Sequence, residues 1–228
     1  MALKEQTMKL AIIGAGNLGR ETAWLVNRIN AALPPEMQWE LLGFFDNDPA
    51  KQGTTVGTLP VLGDIAALAG WEQPLHAVCA IANAKARREI VEQLQHTAQL
   101  SFAVLIDPTA IVADSCRISE GAIICANAVL SIDTGVGKHS IVDMGSIVGH
   151  DSNIGDFCTL YPSGNVSGNV TVENGVELGV GAKIIEKLTV GQNTIVGAGG
   201  VVVRSLPADC TAVGVPAKPI KYHKKTGG

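Results

Sequence analysis

The sequence predicts an α/β domain built on a parallel sheet, followed by a parallel β-helix of hexapeptide repeats. Three observations predict it. Every sixth residue from Ile106 to Val202 is aliphatic, 17 positions without insertion or gap. A Gly-x-Gly-x-x-Gly loop stands between an apolar run and a helical stretch in the first 30 residues. Glycine is frequent, 26 of 228 residues, while aromatic residues make up only 4%, a mix that suits many tight turns rather than bulky packing.

The apolar run Leu10–Ile13 reads as a strand that opens into Gly14-Ala15-Gly16-Asn17-Leu18-Gly19, with a helical pattern over Glu21 to Ile29. Strand, glycine loop and helix in that order let backbone amides and a helix N-terminus approach a phosphate. Leu41–Phe45 reads as a second strand, ending at Asp46 and Asn47. A third fits His76 to Ala82, with a helix from Ala84 to Gln95. Three strands amount to half of a dinucleotide-binding fold. Gly14, Gly16, Asn17, Gly19, Asp46 and Asn47 therefore read as a site for one nucleotide rather than NAD. The alternative is an α/β cap that binds nothing.

The period of six is neither helical nor that of a plain amphipathic strand. Four residues after an aliphatic position the residue is usually small, in turn Ala110, Cys116, Ala122, Ala128, Thr134, Ser140, Ser146, Ser152, Cys158 and Gly164. Each hexapeptide is then a short strand plus a corner, and stacked coils pile the aliphatic side chains into one interior column. The expected division is residues 1–100 for the Rossmann-like domain, 101–205 for the β-helix and 206–228 for a capping tail.

Composition excludes several classes. Charged residues are 17% and apolar residues 46%, so the chain is not disordered, and the net charge of −4 argues against a nucleic-acid binder. No apolar run is long enough to span a membrane and none reads as a signal peptide. Five spaced cysteines without a CxxC read as reduced cytosolic thiols, neither a disulfide frame nor a metal site. Residues 203–228 are basic (Arg204, Lys218, Lys221, Lys224, Lys225), and form either a phosphate contact or a solvated terminus.

Beyond these patterns the chain resembles a family. GAGNLGRE, LLGFFDNDP, LPVLGD, AIANAKARREI, FAVLIDPTAIV, IVGHDSNIGDF, SGNV and AVGVPAKPI follow in an order and spacing similar to the NeuD-like sugar acyltransferases. These include sialic acid O-acetyltransferases and N-acetyltransferases of nucleotide-linked 4-amino sugars. The resemblance implies a left-handed β-helix, acetyl-CoA as co-substrate without a metal, and a cytoplasmic homotrimer with sites between subunits. It makes His150 the general base, Asp151 the carboxylate that orients it, and Gly168 the amide that polarises the thioester. It puts the nucleotide-linked sugar at the glycine loop with Asp46, Asn47 and Asp143. The coenzyme is expected along small residues Gly179, Ala182, Gly197 and Gly199, with Lys218 at its phosphates. Leu18, Ala82, Asp143 and Thr159 depart from residues common in the family, which leaves the acceptor open between amine and hydroxyl. A scaffold trimer that lost its activity is the remaining alternative. His139 is a further candidate for acceptor contact.

Overall fold

The structure is a computed structural model and describes residues 8–223. Lys224 and Lys225 of the basic tail lie outside the described residues.

The first part is a six-stranded sheet, not the three strands the sequence suggests. Its elements are β1 (Met8–Ile13), α1 (Asn17–Ala32), β2 (Trp39–Phe45), β3 (Thr55–Val56), β4 (Leu59–Gly63), α2 (Ile65–Ala69), β5 (Leu75–Cys79), α3 (Ala84–Leu94) and β6 (Leu100–Phe102). The strand order is β3-β4-β2-β1-β5-β6, parallel except for the β3–β4 hairpin. The extra strands are two to five residues long, and β4 carries Pro60 and Gly63. Such segments have no periodicity to read and weak strand propensity. The sheet is covered on both faces. Leu10 and Ile12 pack with α1 residues Leu25, Val26 and Ile29. Ala11 and Ile13 pack with Leu68 of α2 and with Val91 and Leu94 of α3. Burial on both sides is why β1 reads as unbroken aliphatic sequence.

The second part is a β-helix with three faces of two-residue strands. Leu105–Ile106, Ile123–Ile124, Ile141–Val142, Thr159–Leu160, Glu177–Leu178 and Ile195–Val196 stack on the first face. The second runs from Ile111–Val112 to Val201–Val202 and the third from Arg117–Ile118 to Thr189–Val190. Partners lie one coil of 18 residues apart, as in Ile147 with Val129 and Asn165. The sixfold column points inward: Leu130, Val148, Leu160, Val166, Leu178, Val190 and Val202 are all buried in one core. Small corner residues do more than save space. Ser140, Ser146 and Ser152 donate their hydroxyls to the corner carbonyls of Gly155, Tyr161 and Ser167 at 2.7, 3.1 and 2.8 Å.

The two parts share a core. Leu105, Ile123 and Ile141, the outward residues of the first face, pack with Leu10, Ile12, Val26 and Phe44. Arg28 of α1 adds an ion pair to Asp107 at 2.7 Å. At the lower end, strands Cys210–Val213 and Lys218–Tyr222 form an antiparallel hairpin on the first face.

Candidate active site

The glycine loop lines a cleft of about 370 Å³ with Phe45, Asp46, Asn47, Lys51, Ile65, Ala80, Ile81 and Ala82. Each glycine has its own steric reason. Gly14 has φ +99°, and a Cβ there would stand 3.0 Å from the Ala80 carbonyl. Gly19 packs so closely on the Gly14 carbonyl that no side chain fits. Gly16 has open space in front of it, which lets a ligand approach the backbone. Asp46 Oδ2 accepts from the Ala15 amide at 2.7 Å and from Lys51 Nζ at 3.0 Å, and its Oδ1 accepts from the Asp48 amide. Burial pushes this carboxyl up, but the Asp48 and Ala15 amides and Lys51 together hold it below its ordinary value. Asp46 thus also braces the loop. Asn47 is exposed and accepts from the Ile65 amide at 3.0 Å. Lys51 escapes sequence reasoning. Its only signal is the Asp48-Pro49 turn, whose capping carboxylate turns the chain back over Asp46.

His150 sits at the corner between the second and third faces. Its Nδ1 lies 2.8 Å from Asp151 Oδ2. The carboxylate accepts from Nδ1–H, which leaves the Nε2 lone pair to take a proton. Asp151 has φ +57°, one of a series of left-handed corner residues that lets the chain turn. Both side chains are more than half exposed, at 55% and 53%, so the pair is open to a second surface. Gly168, one coil on, lies beneath the imidazole: a Cβ there would be 2.5 Å from Nε2. Among the described residues the Gly168 N–H donates to no protein acceptor, while its carbonyl accepts from Lys187.

The other expected residues lie at a different corner, between the first and second faces. Asp143 is buried there, in a small cleft also lined by Leu18, Thr22, Trp24 and Leu25 of α1 and by Cys125. Its Oδ1 accepts from the Met144 amide at 2.7 Å, and burial pushes its carboxyl up. Gly179 and Gly197 follow on lower coils, each too close to the next layer for a Cβ. Gly199 is exposed at φ +65°. Ala182 is 0% exposed inside the β-helix and its amide donates to Gly179, so its side chain has no outer face. Lys218 is exposed on the terminal hairpin. The second face separates this corner from His150, and His150 lines neither the glycine-loop cleft nor the Asp143 cleft.

His139 and Thr159 belong to the junction between the two parts. His139 is 3% exposed, stacked on Phe157 and edge-on to Phe102, and burial pushes its imidazole down to about 4. It is a core residue, not an acceptor contact. Thr159 is buried and donates to the Ala82 carbonyl at 2.7 Å.

The family model described as the PglD N-terminal domain matches residues 9–94. GDP-perosamine N-acetyltransferase of Escherichia coli O157:H7 is 32% identical over 217 residues, 92% of this chain and 95% of that protein. The chain belongs to the NeuD-like sugar acetyltransferases. The solved structure of PerB from Caulobacter crescentus, in complex with CoA and GDP-perosamine, superimposes on this acetyltransferase with a TM-score of 0.83. It shares 33% identity, over 93% of this chain and 97% of the other. The acetyltransferase domain of PglB from Neisseria gonorrhoeae FA1090, in complex with acetyl coenzyme A, gives 0.83 at 30% identity over 94% and 100%. The acetyltransferase is thus an α/β domain followed by a left-handed β-helix, as expected. Serine acetyltransferase of Synechococcus elongatus matches at 39% identity over 85 residues, and the chain spans about a third of that relative (35%). No helix among the described residues of the acetyltransferase is long and apolar enough to cross a membrane, and they contain no cluster of three metal-ligating side chains.

Proposed function

We propose that the protein transfers the acetyl group of acetyl-CoA to the amino group of a nucleotide-linked 4-amino sugar. The observation that carries this reading is the His150–Asp151 pair over Gly168, in a chain similar end to end to GDP-perosamine N-acetyltransferase. His150 Nε2 takes a proton from the attacking amine while nitrogen adds to the thioester carbonyl. The Gly168 N–H faces the oxyanion that forms. Collapse of the tetrahedral intermediate breaks the C–S bond, and His150 returns the proton to the coenzyme A thiolate. Asp151 fixes the tautomer and stabilises the imidazolium between the two transfers. Attack is direct, so no serine or cysteine nucleophile is needed.

In this reading residues 1–100 present the acceptor, 101–205 carry the chemistry and 206–228 close the lower end. The diphosphate meets the amides of Gly16, Asn17 and the first turn of α1, with Asp46, Asn47 and Lys51 at the nucleoside end. Asp143 lies on the way from Leu18 to the sugar. The coenzyme arm runs by Gly179, Gly197 and Gly199, and Lys218 meets its phosphates. His150 does not line the acceptor cleft of its own chain, so a homotrimer supplies each site from two neighbours. Exposed Ile111 and Ile147 on the second face, at 66% and 40%, and Ile132 at its corner with the third face, at 57%, give an apolar surface for that contact. Acetyl-CoA and nucleotide sugars together imply a cytoplasmic location.

The test is an acetylation assay with a panel of GDP-, UDP- and dTDP-linked 4-amino sugars alongside sialic acid, read by mass spectrometry. A gain of one acetyl on an amino sugar supports the proposal. Acetylation of sialic acid alone would move the activity to hydroxyl acceptors.

A further inference from the structure

Arg87, in the first turn of α3, is 0% exposed, and it makes no ion pair among the described residues. Its fork is filled instead by neutral acceptors from two sides. Nε donates to the His139 carbonyl at 2.8 Å. One terminal nitrogen donates to the carbonyls of Ile81 and Ala82, the latter at 2.9 Å. The other donates to the carbonyls of Phe157 and Cys158 and to Thr159 Oγ1, at 2.9, 3.0 and 3.0 Å. Thr159 closes the ring by donating to the Ala82 carbonyl.

The two sides differ in function. Ile81 and Ala82 form a wall of the glycine-loop cleft. His139, Phe157 and Cys158 are at the corner between the third and first faces of the β-helix, and Thr159 begins the next first-face strand. Holding two chain segments together does not by itself call for a guanidinium, since an apolar contact would bury the same surface without a charge to desolvate. A planar fork with five donors does what an apolar contact cannot: it fixes the direction of each carbonyl it holds.

We propose that Arg87 is a positioning residue for the transfer, tying the acceptor-cleft wall to its own β-helix, the body that packs on the neighbouring subunit, so that the bound sugar meets that subunit's histidine at a fixed offset. This rests on the reading of the cleft as the nucleotide-sugar site. The charge has to be carried as a fork. A lysine ammonium is a point donor and cannot reach both segments at once. Acetyl-CoA, expected along the lower corner residues, does not touch the Arg87 segments, so the two substrates respond differently.

The test uses the full-length enzyme and two variants, Arg87→Lys and the milder Thr159→Val, with two readouts. In steady-state kinetics the acceptor KM rises by roughly tenfold or more in Arg87→Lys, and less in Thr159→Val, because a small misplacement of a bound substrate is costly. The acetyl-CoA KM stays within about twofold. In hydrogen–deuterium exchange without substrates, the segment 80–84 exchanges faster in both variants while 165–172 does not. A lower melting temperature with both KM values unchanged overturns the proposal, as does an equal rise in both. Should Arg87→Lys fail to fold, Thr159→Val carries both readouts. A wild-type enzyme that acetylates no nucleotide-linked amino sugar would refute the acceptor reading, and the exchange result then decides whether Arg87 holds the cleft wall.

Discussion

Gly168 is the residue on which the direction of His150 depends. The imidazole lies where a Gly168 Cβ would be, 2.5 Å from Nε2, so Gly168→Ala must push the ring off the corner. Its backbone lies outside the left-handed region, and alanine is otherwise acceptable there. We expect Gly168→Ala to fold and to lose most of its turnover. His150→Ala should lower kcat by roughly 10²–10⁴-fold, the usual contribution of general base catalysis, with coenzyme binding retained. Asp151→Asn should cost less, since the imidazole keeps its place. Steady-state kinetics on the three variants checks the order, and a Gly168→Ala enzyme with wild-type kcat would detach the ring position from catalysis. His139 gives a pH prediction. Its folded value of about 4 lies below the ordinary histidine value of 6.5. Between those values the unfolded chain binds the extra proton, so this residue's share of stability is complete above pH 6.5 and falls as pH drops towards 4. His139→Asn, which suits the φ of +54°, should make the slope shallower by that share. Urea midpoints from pH 4 to 7 measure it.

At the scale of elements, the β-helix was legible and the sheet only partly so, for one physical reason. The repeat writes its inward column into side-chain type, and Val148, Leu160 and Val166 are buried where the sixfold spacing puts them. Strands β3, β4 and β6 are held by backbone pairing over a few residues and leave no such record. Arg87 is the sharper case. In sequence it is one of three basic residues, with Lys85 and Arg88, that open a helix, and nothing there sets it apart from its neighbours. Its acceptors are mostly backbone carbonyls up to 71 residues away, and a carbonyl has no signature in sequence. The contact between His150 and Asp151 was legible because the two are neighbours in the IVGHDSNIGDF motif. Lys51 was not, because a turn returns it to the cleft. The serine ladder at the corners makes a prediction of its own. Ser152 Oγ donates to the Ser167 carbonyl and accepts from the Val170 amide at 3.0 Å. Ser152→Ala leaves a buried N–H without a partner, and should cost about 1–3 kcal/mol in equilibrium unfolding. A loss below about 0.5 kcal/mol would indicate that space, and not the hydroxyl, sets the corner.

At the scale of the whole molecule the proposed trimer can be tested directly. Light scattering should give about three times 23.7 kDa. A stronger test mixes two inactive chains. Gly16→Trp fills the open mouth of the acceptor cleft, and His150→Ala removes the base. If each site takes its cleft from one subunit and its histidine from the next, co-expressed mixed trimers regain activity, up to about a quarter of the sites in an equal mixture. No recovery in trimers proven mixed would return both halves of the site to one chain.

The stacking of coils also has a consequence for how the distance between binding and chemistry can change. Successive coils are spaced like paired strands, about 4.8 Å apart, and each is 18 residues long. The N-terminal domain is clamped to the upper coils through Leu105, Ile123 and Ile141, and His150 sits on the third of them. In the proposed symmetric trimer the neighbour's His150 stands at the same height, so the β-helix is a ruler with coarse graduations. Insertions of any other length would rotate the histidine to the wrong face, and a full coil would move it by one whole mark. An acceptor slightly longer or shorter than the native one cannot be met by sliding the catalytic residue. It can only be met by reshaping the cleft, which makes the α/β domain the part of the molecule free to change substrate.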